Sequence, residues 1–276
     1  MKIILAKSAG FCWGVTRAIE KARELSAQHK SVYTDGPLIH NEQMISQLDS
    51  EHITATNDPA TVNKSPLLIR AHGIPPERRT MLNNLDLNIT DATCPDVAKI
   101  QGLIRKHVKQ GYTIIIYGDK GHAEVNGLEG YAEGNSFVIA SLNDIEKLPP
   151  IQTPVCLVSQ STQLPLAYDE ISNAVKSRFP NVTILDTICK STRNRQQELL
   201  DIAQKVDALV VVGGTHSANT VRLLELAKTM KPTFHIQTAD QLKSEDFKDF
   251  ESVGLTAGAS TPDFIIQDVQ SKLKSF

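Results

Sequence analysis

The chain has 276 residues, 41% of them apolar, and a formal net charge of −2. That length allows a sizeable buried core and one to three domains. Its dispersed basic residues exclude the charged stripe of a nucleic-acid binder, and its longest apolar runs fall far short of a membrane span.

The N-terminus enters a strand-like run at residues 2–6, without the apolar core and small-residue cleavage site of a secretory signal. This points to a cytoplasmic protein, where disulfides are not expected and widely spaced cysteines serve a metal, a reaction or only packing. Cys12 follows, and then a helical pattern with apolar residues at Val15, Ile19, Ala22 and Leu25. A strand-like run at 31–34 ends at Gly36, and His40 and Glu42 open a second helix. A further strand, 67–71, ends in Ala71-His72-Gly73, and the closing helix carries Pro75 and Pro76 at its start.

The succession then repeats. A short strand at 87–90 leads to Cys94 and a helix marked by Val97, Ile100, Ile104 and Val108. Strand 113–117 ends at Gly118, His122 and Glu124 open a helix, and strand 155–159 ends in Gln160-Ser161-Thr162 before Pro165. In the third round, strand 182–185 leads to Cys189, a helix with Leu199, Ile202, Ala203 and Val206, strand 208–212, Gly213, and then Ser217 and Asn219. Strand 252–256 and Gly258-Ala259-Ser260 precede Pro262. Counted from each cysteine, the glycine stands 24 residues on, the first polar residue 28, and the second 30. Offsets kept in three registers mark a repeated structural unit.

Strands alternating with helices imply parallel sheets joined by right-handed crossovers, with ligands bound just beyond the strand ends. The expected fold is therefore α/β, with three α/β/α units spanning 13–93, 94–187 and 188–276. The N-terminal strand in 1–12 is expected to complete the third, closing the chain on itself as a pseudo-threefold ring.

Cys156, inside a strand, reads as a small buried hydrophobe. Cys12, Cys94 and Cys189 each stand between a strand and a helix N-terminus, where the helix dipole favours a thiolate. A structural zinc normally takes four closed ligands, often in Cys-x-x-Cys spacing, and that spacing is absent. A [4Fe–4S] cluster with three cysteine ligands leaves one iron open to substrate, and this reading is preferred over another metal or none. His40, His72, His122, Ser217 and Asn219 at strand ends and helix starts make a socket suited to an anion, above all phosphate. Glu124 is an acid among anion donors; a carboxyl there, away from water, should have a raised pKa and donate protons. Glu42, its counterpart in the first unit, reads as a first-turn helix acid. Lys120 and His216 are left outside the site. The glycines form neither a dinucleotide-binding fingerprint nor a phosphate-binding loop.

The ordered motifs Gly10-Phe11-Cys12-Trp13-Gly14-Val15, His40-Asn41, Ala71-His72-Gly73, Asp91-Ala92-Thr93-Cys94-Pro95 and Gly121-His122-Ala123-Glu124-Val125, followed by Gln160-Ser161-Thr162, Asp186-Thr187-Ile188-Cys189, Asn194-Arg195-Gln196 and Thr256-Ala257-Gly258-Ala259-Ser260, carry a resemblance over nearly the whole chain. They closely resemble the 4-hydroxy-3-methylbut-2-enyl diphosphate reductases, which complete the non-mevalonate isoprenoid pathway. The resemblance implies a trefoil of three α/β units around a central [4Fe–4S] cluster held by Cys12, Cys94 and Cys189, its fourth iron taking the substrate hydroxyl. It implies diphosphate binding by His40, His72, His122, Ser217, Asn219 and Ser260. Glu124 matches the proton donor, and Ser161-Thr162 match a Thr-Thr relay pair. Reducing equivalents would come from ferredoxin or flavodoxin. The reaction implied is reductive removal of the hydroxyl from (E)-4-hydroxy-3-methylbut-2-enyl diphosphate, giving isopentenyl and dimethylallyl diphosphates. A redox-neutral iron–sulfur (de)hydratase and a non-catalytic iron–sulfur sensor are the alternatives. The family's Ser-Ser-Asn is Ser217-Ala218-Asn219 here, so Ala218 offers phosphate only its backbone N–H.

Overall fold

The computed structural model describes residues 1–62 and 64–276. Its elements run β1 (Lys2–Leu5), α1 (Trp13–Ser26), β2 (Val32–Asp35), α2 (Glu42–Ser50), β3 (Ile53–Thr56), β4 (Leu67–Ile69), α3 (Pro76–Asn83) and β5 (Ile89–Asp91). They continue as α4 (Pro95–Lys109), β6 (Thr113–Tyr117), α5 (Ala123–Tyr131), β7 (Ser136–Ile139), α6 (Leu142–Glu146), β8 (Val155–Ser159), α7 (Pro165–Arg178) and β9 (Thr183–Ile184). The last are α8 (Lys190–Ala203), β10 (Ala208–Val212), α9 (Ala218–Lys228), β11 (Thr233–Ile236), β12 (Ser252–Ala257) and α10 (Asp263–Lys274).

The strands form three four-stranded sheets, ordered β3-β2-β4-β5, β7-β6-β8-β9 and β1-β12-β10-β11, and every pairing is parallel. Each sheet carries helices, so the fold is the α/β class with three sheets that the repeat predicts. The one order recurs: the strand ending at the repeated glycine sits inside, flanked by a short edge strand and by the strand that ends in a polar cluster. β1 pairs with β12 in register Lys2 to Ser252 through Leu5 to Leu255.

The chain forms two compact units. The first comprises Met1–Thr16, Ile39–Ser50 and Lys190–Phe276. Here β10 alternates strictly: Ala208, Val210 and Val212 pack with Leu255, Ile265 and Val269 on one face. Leu209 and Val211 pack with Leu199, Ile202 and Leu223 on the other. All five β10 residues are fully buried, as parallel strands covered on both faces require. Each such aliphatic side chain contributes roughly 1.5–3 kcal/mol by leaving water.

The second unit comprises Arg17–Leu38 and Glu51–Cys189 and holds the other two sheets. β6 repeats the alternation, with Ile115 and Tyr117 against Tyr168, Ile171 and Val175, and Ile114 and Ile116 against Ile100, Ile104 and Leu128. The first of these sheets buries Leu67 and Ile69 with Ile74 and Leu82. α2, with its lead-in from Ile39, leaves the sheet it follows in sequence and packs in the first unit. Among the described residues no helix is long and apolar enough to cross a membrane.

The predicted strand cores at 113–117, 155–159 and 208–212 coincide with β6, β8 and β10. The outer strands β3, β7 and β11 were not anticipated; each is a four-residue segment with a single buried residue. Pro76 and Pro165 occupy first helical positions, whereas Pro262 caps α10 from outside.

Candidate active site

Three backbone hydrogen bonds define where the cysteines sit. Cys12 N–H donates to Ala259 O at 3.1 Å, Cys94 N–H to Ala71 O at 2.9 Å, and Cys189 N–H to Ser161 O at 3.0 Å. Each acceptor lies two residues past the end of a strand, β12, β4 or β8. The next residue, or the acceptor itself, is a predicted substrate ligand: Ser260, His72 or Ser161. The repeated fold thus lays each thiol beside the polar loop of the neighbouring strand. Each cysteine also directly precedes a helix of 14 or 15 residues, α1, α4 or α8, where first-turn N–H groups lack an intrahelical acceptor. All three thiols are partly exposed and outside any disulfide. Cys156 is the opposite: fully buried on β8, with its thiol pushed up to about 12 by burial.

The repeated glycines turn the chain at the strand ends. Gly36, Gly118 and Gly213 donate their N–H groups to Thr56, Ile139 and Ile236, each the last residue of an edge strand. A Cβ on Gly118 would lie 2.8 Å from Val125 Cγ2 and 3.0 Å from Gln160 Oε1. This glycine therefore permits α5 to approach the sheet.

In the second unit, His122 caps α5, its Nδ1 accepting the N–H of Glu124 at 3.1 Å. A neutral ring so used carries its proton on Nε2, as a donor. The His72 ring stands edge-on to it, centroids 5.6 Å apart. Glu124 is only 2% exposed. Its Oε1 accepts Ser161 N–H at 2.7 Å and its Oε2 accepts the Ser161 hydroxyl at 2.8 Å. Burial raises its pKa to about 7, the Ser161 hydrogen bonds oppose the shift, and Asp119 adds to it. Because the Ser161 N–H can only donate to Oε1, a proton taken up by the acid goes to Oε2, and the Ser161 hydroxyl then turns from donor to acceptor. The Thr162 hydroxyl accepts from Gln160 Nε2 at 3.1 Å and makes no bond to Glu124.

In the first compact unit, Ser217 caps α9, and its hydroxyl accepts from Thr220 N–H at 3.4 Å. Ser260 Oγ donates to the His40 carbonyl at 3.1 Å and lies 3.3 Å from Ser217 Oγ. Asn219 is 4% exposed, and its buried Nδ2 has no hydrogen-bond partner among the described residues. A buried, unspent amide donor in the first turn of a helix suits an anion. In α2 the register slips by one. Asn41, not His40, is the cap, accepting Met44 N–H at 2.8 Å, and Glu42 is exposed.

Three residues quoted in the motifs were given no role from sequence. Gln160 is fully buried; its Oε1 accepts Asp119 N–H at 2.9 Å, tying the β8 loop to the loop before α5. Asp91 and Asp186, three residues before Cys94 and Cys189, accept the N–H of Thr93 at 2.8 Å and of Ile188 at 3.4 Å. Their shared position relative to the cysteines was the available signal.

The LytB protein family model matches residues 3–274. The chain belongs to the LytB family. A relative from Opitutus terrae named 4-hydroxy-3-methylbut-2-enyl diphosphate reductase is 48% identical, over the full length of both chains. One of the same name from Solidesulfovibrio magneticus is 41% identical, again over both full lengths. Among solved structures, the Plasmodium falciparum E-1-hydroxy-2-methyl-but-2-enyl-4-diphosphate reductase matches with a TM-score of 0.93 at 30% identity, over 99% of this chain and 87% of the other. A structure described as the terminal enzyme of the non-mevalonate pathway matches over the full length of both chains, at TM-score 0.73 and 35% identity. The α/β fold is thus that of LytB structures, and the LytB assignment agrees with the resemblance read from the motifs.

Proposed function

We propose that this LytB chain reductively dehydroxylates (E)-4-hydroxy-3-methylbut-2-enyl diphosphate to isopentenyl and dimethylallyl diphosphates, as the last step of the non-mevalonate pathway in the cytoplasm. The observation that carries the reading is Glu124: a carboxyl kept out of water, its pKa raised to about 7, and bonded to the Ser161 hydroxyl. Anion binding alone gains nothing from such an acid.

Cys12, Cys94 and Cys189 would hold the cofactor, a [4Fe–4S] cluster with three protein ligands and one open iron. The donor set fits: three partly exposed thiols at helix N-termini, with the fourth cysteine locked in a sheet as a neutral thiol. When bound, the cluster supplies electrons and a Lewis-acidic iron, and it would be reduced by a small protein such as ferredoxin or flavodoxin. The balance is two electrons and two protons taken up, one C–O bond broken, one C–H bond formed and one water released.

The protein's own residues bind, orient and move protons. The Nε2–H donor of His122, with His72, His40, Ser217, Asn219 and Ser260, would hold the diphosphate, and with it fix the short carbon chain. Glu124 gives a proton to the departing hydroxyl, through Ser161 Oγ, and the allylic carbons take the second. Thr162, held by Gln160, supplies a further hydroxyl at the same loop.

Anaerobic assay with a reduced dye and the allylic diphosphate tests the reading: two electrons should be consumed per product, whereas a (de)hydratase consumes none and a sensor gives no turnover. Glu124→Gln should retain cluster absorbance and substrate binding while turnover falls by about 10²-fold or more. Near-normal turnover in that variant removes Glu124 from the role.

A further inference from the structure

The three cysteine loops are not held alike. In the second and third repeats an aspartate three residues before the cysteine accepts the N–H just before it, at 2.8 Å for Asp91 to Thr93 and 3.4 Å for Asp186 to Ile188. The first repeat has Ala9 at that position, and Gly10 beside it takes φ +105°. This loop cannot form the same turn for lack of a carboxylate.

A carboxylate nevertheless reaches it from elsewhere. Glu198 on α8 accepts Lys7 N–H at 2.7 Å through Oε1. Its Oε2 accepts Ser8 N–H at 2.9 Å and the Ser8 hydroxyl at 2.5 Å. The residues flanking these bonds are packed on the same helix: Ala6 is buried with Leu199 and Ile202, and Ala9 lies against that cluster. All of these groups lie within the first compact unit.

We propose that Glu198 is a positioning residue for Cys12, supplying from α8 the loop-holding carboxylate that the other two cysteine loops carry in their own sequence. The proposal rests on Cys12 being a cluster ligand. α8 is the helix that Cys189 opens, so the clamp ties the Cys12 loop to the helix that begins at a second ligand. Fixing a thiol's loop beforehand lowers the ordering cost of metal capture and slows release. The three bonds also hold the Glu198 carboxyl below the usual range although partial burial opposes this, so the clamp is a carboxylate at neutral pH.

Glu198→Gln puts an amide donor where the loop also offers donors. Ser8→Ala removes one bond of three and leaves the fold unthreatened. In the iron-free protein, amide hydrogen exchange at Lys7 and Ser8 should accelerate about tenfold in Glu198→Gln and by less in Ser8→Ala, with Thr93 and Ile188 unchanged. In the anaerobically loaded protein, iron release to a chelator should accelerate in the same order. Unchanged exchange at Lys7 and Ser8 overturns the clamp. Faster exchange with wild-type iron release overturns its role toward Cys12. A wild-type chain that takes up no iron instead overturns the cluster reading, and this outcome is distinct because it needs no variant.

Discussion

Glu42 and Glu124 stand at the same place in two copies of one repeat, yet one is solvated and the other is 2% exposed. The offset from the cysteine made Glu124, its removal from water and its raised pKa legible in the sequence; the contact with Ser161, 37 residues away on the β8 loop, was implied only by the family resemblance. The difference has a thermodynamic sign. A carboxyl raised from 4.5 to about 7 by folding holds its proton in the native state and releases it on unfolding. Its stabilising contribution is full below pH 4.5 and is lost as pH rises through 7, a change of about 3 kcal/mol. Urea unfolding of wild type and Glu124→Gln at pH 5 and pH 8 should therefore show the wild type losing ground to the variant at the higher pH. A constant gap would mean that the acid is ionised throughout. Ala218 makes a second residue-scale test. It opens α9, so its N–H is among the first-turn donors that lack an intrahelical acceptor. Restoring a hydroxyl with Ala218→Ser should tighten diphosphate binding about tenfold, measured as Kd, because a hydrogen bond to a charged group contributes roughly 1.5–3 kcal/mol.

The central strands β6, β8 and β10 were read to the residue and the outer strands β1, β5 and β9 to within two residues, whereas the outer strands β3, β7 and β11 were missed. β6, β8 and β10 are unbroken apolar runs, and their predicted limits match the structure. β3, β7 and β11 lie at sheet edges, are only four residues long and bury one residue each. Such segments take their form from the neighbouring strand, which a local pattern does not contain. Caps show a similar limit: His122 and Ser217 cap their helices as expected, while in the first copy the cap is Asn41. Gly118 marks where element geometry and chemistry meet. Gly118→Ala would press its methyl into Val125 and Gln160, which cannot both yield without moving α5. Overpacking of this kind costs about 1–3 kcal/mol. Because α5 carries His122 and Glu124, turnover should fall further than the melting temperature shift alone explains. Gly111→Ala, with open space around its Cβ, serves as the control, since its cost comes only from a φ of +81°.

At the scale of the whole molecule, the repeat makes a statement about connectivity. In the first sheet α3 runs directly into the outer strand β5, and in the second α7 runs into β9. In the third sheet the corresponding helix is α10 and the corresponding strand is β1, at opposite ends of the chain. The link present twice is cut once, and pairing of β1 with β12 must close some 250 residues, a long-range contact that slows folding. A circular permutant should restore the link: Phe276 joined to Met1 by a short Gly/Ser linker, with new termini between Gln152 and Thr153, both exposed and outside any strand or helix. Exposed loops of this kind tolerate new termini. The permutant should keep its melting temperature within about 5 °C, retain iron, and refold faster than the natural order. Deleting residues 1–5 without the link should instead uncover the edge of β12 and lower both stability and solubility. If the permutant fails to fold while the natural order folds, β1 does not close the third unit in the way that β5 and β9 close theirs.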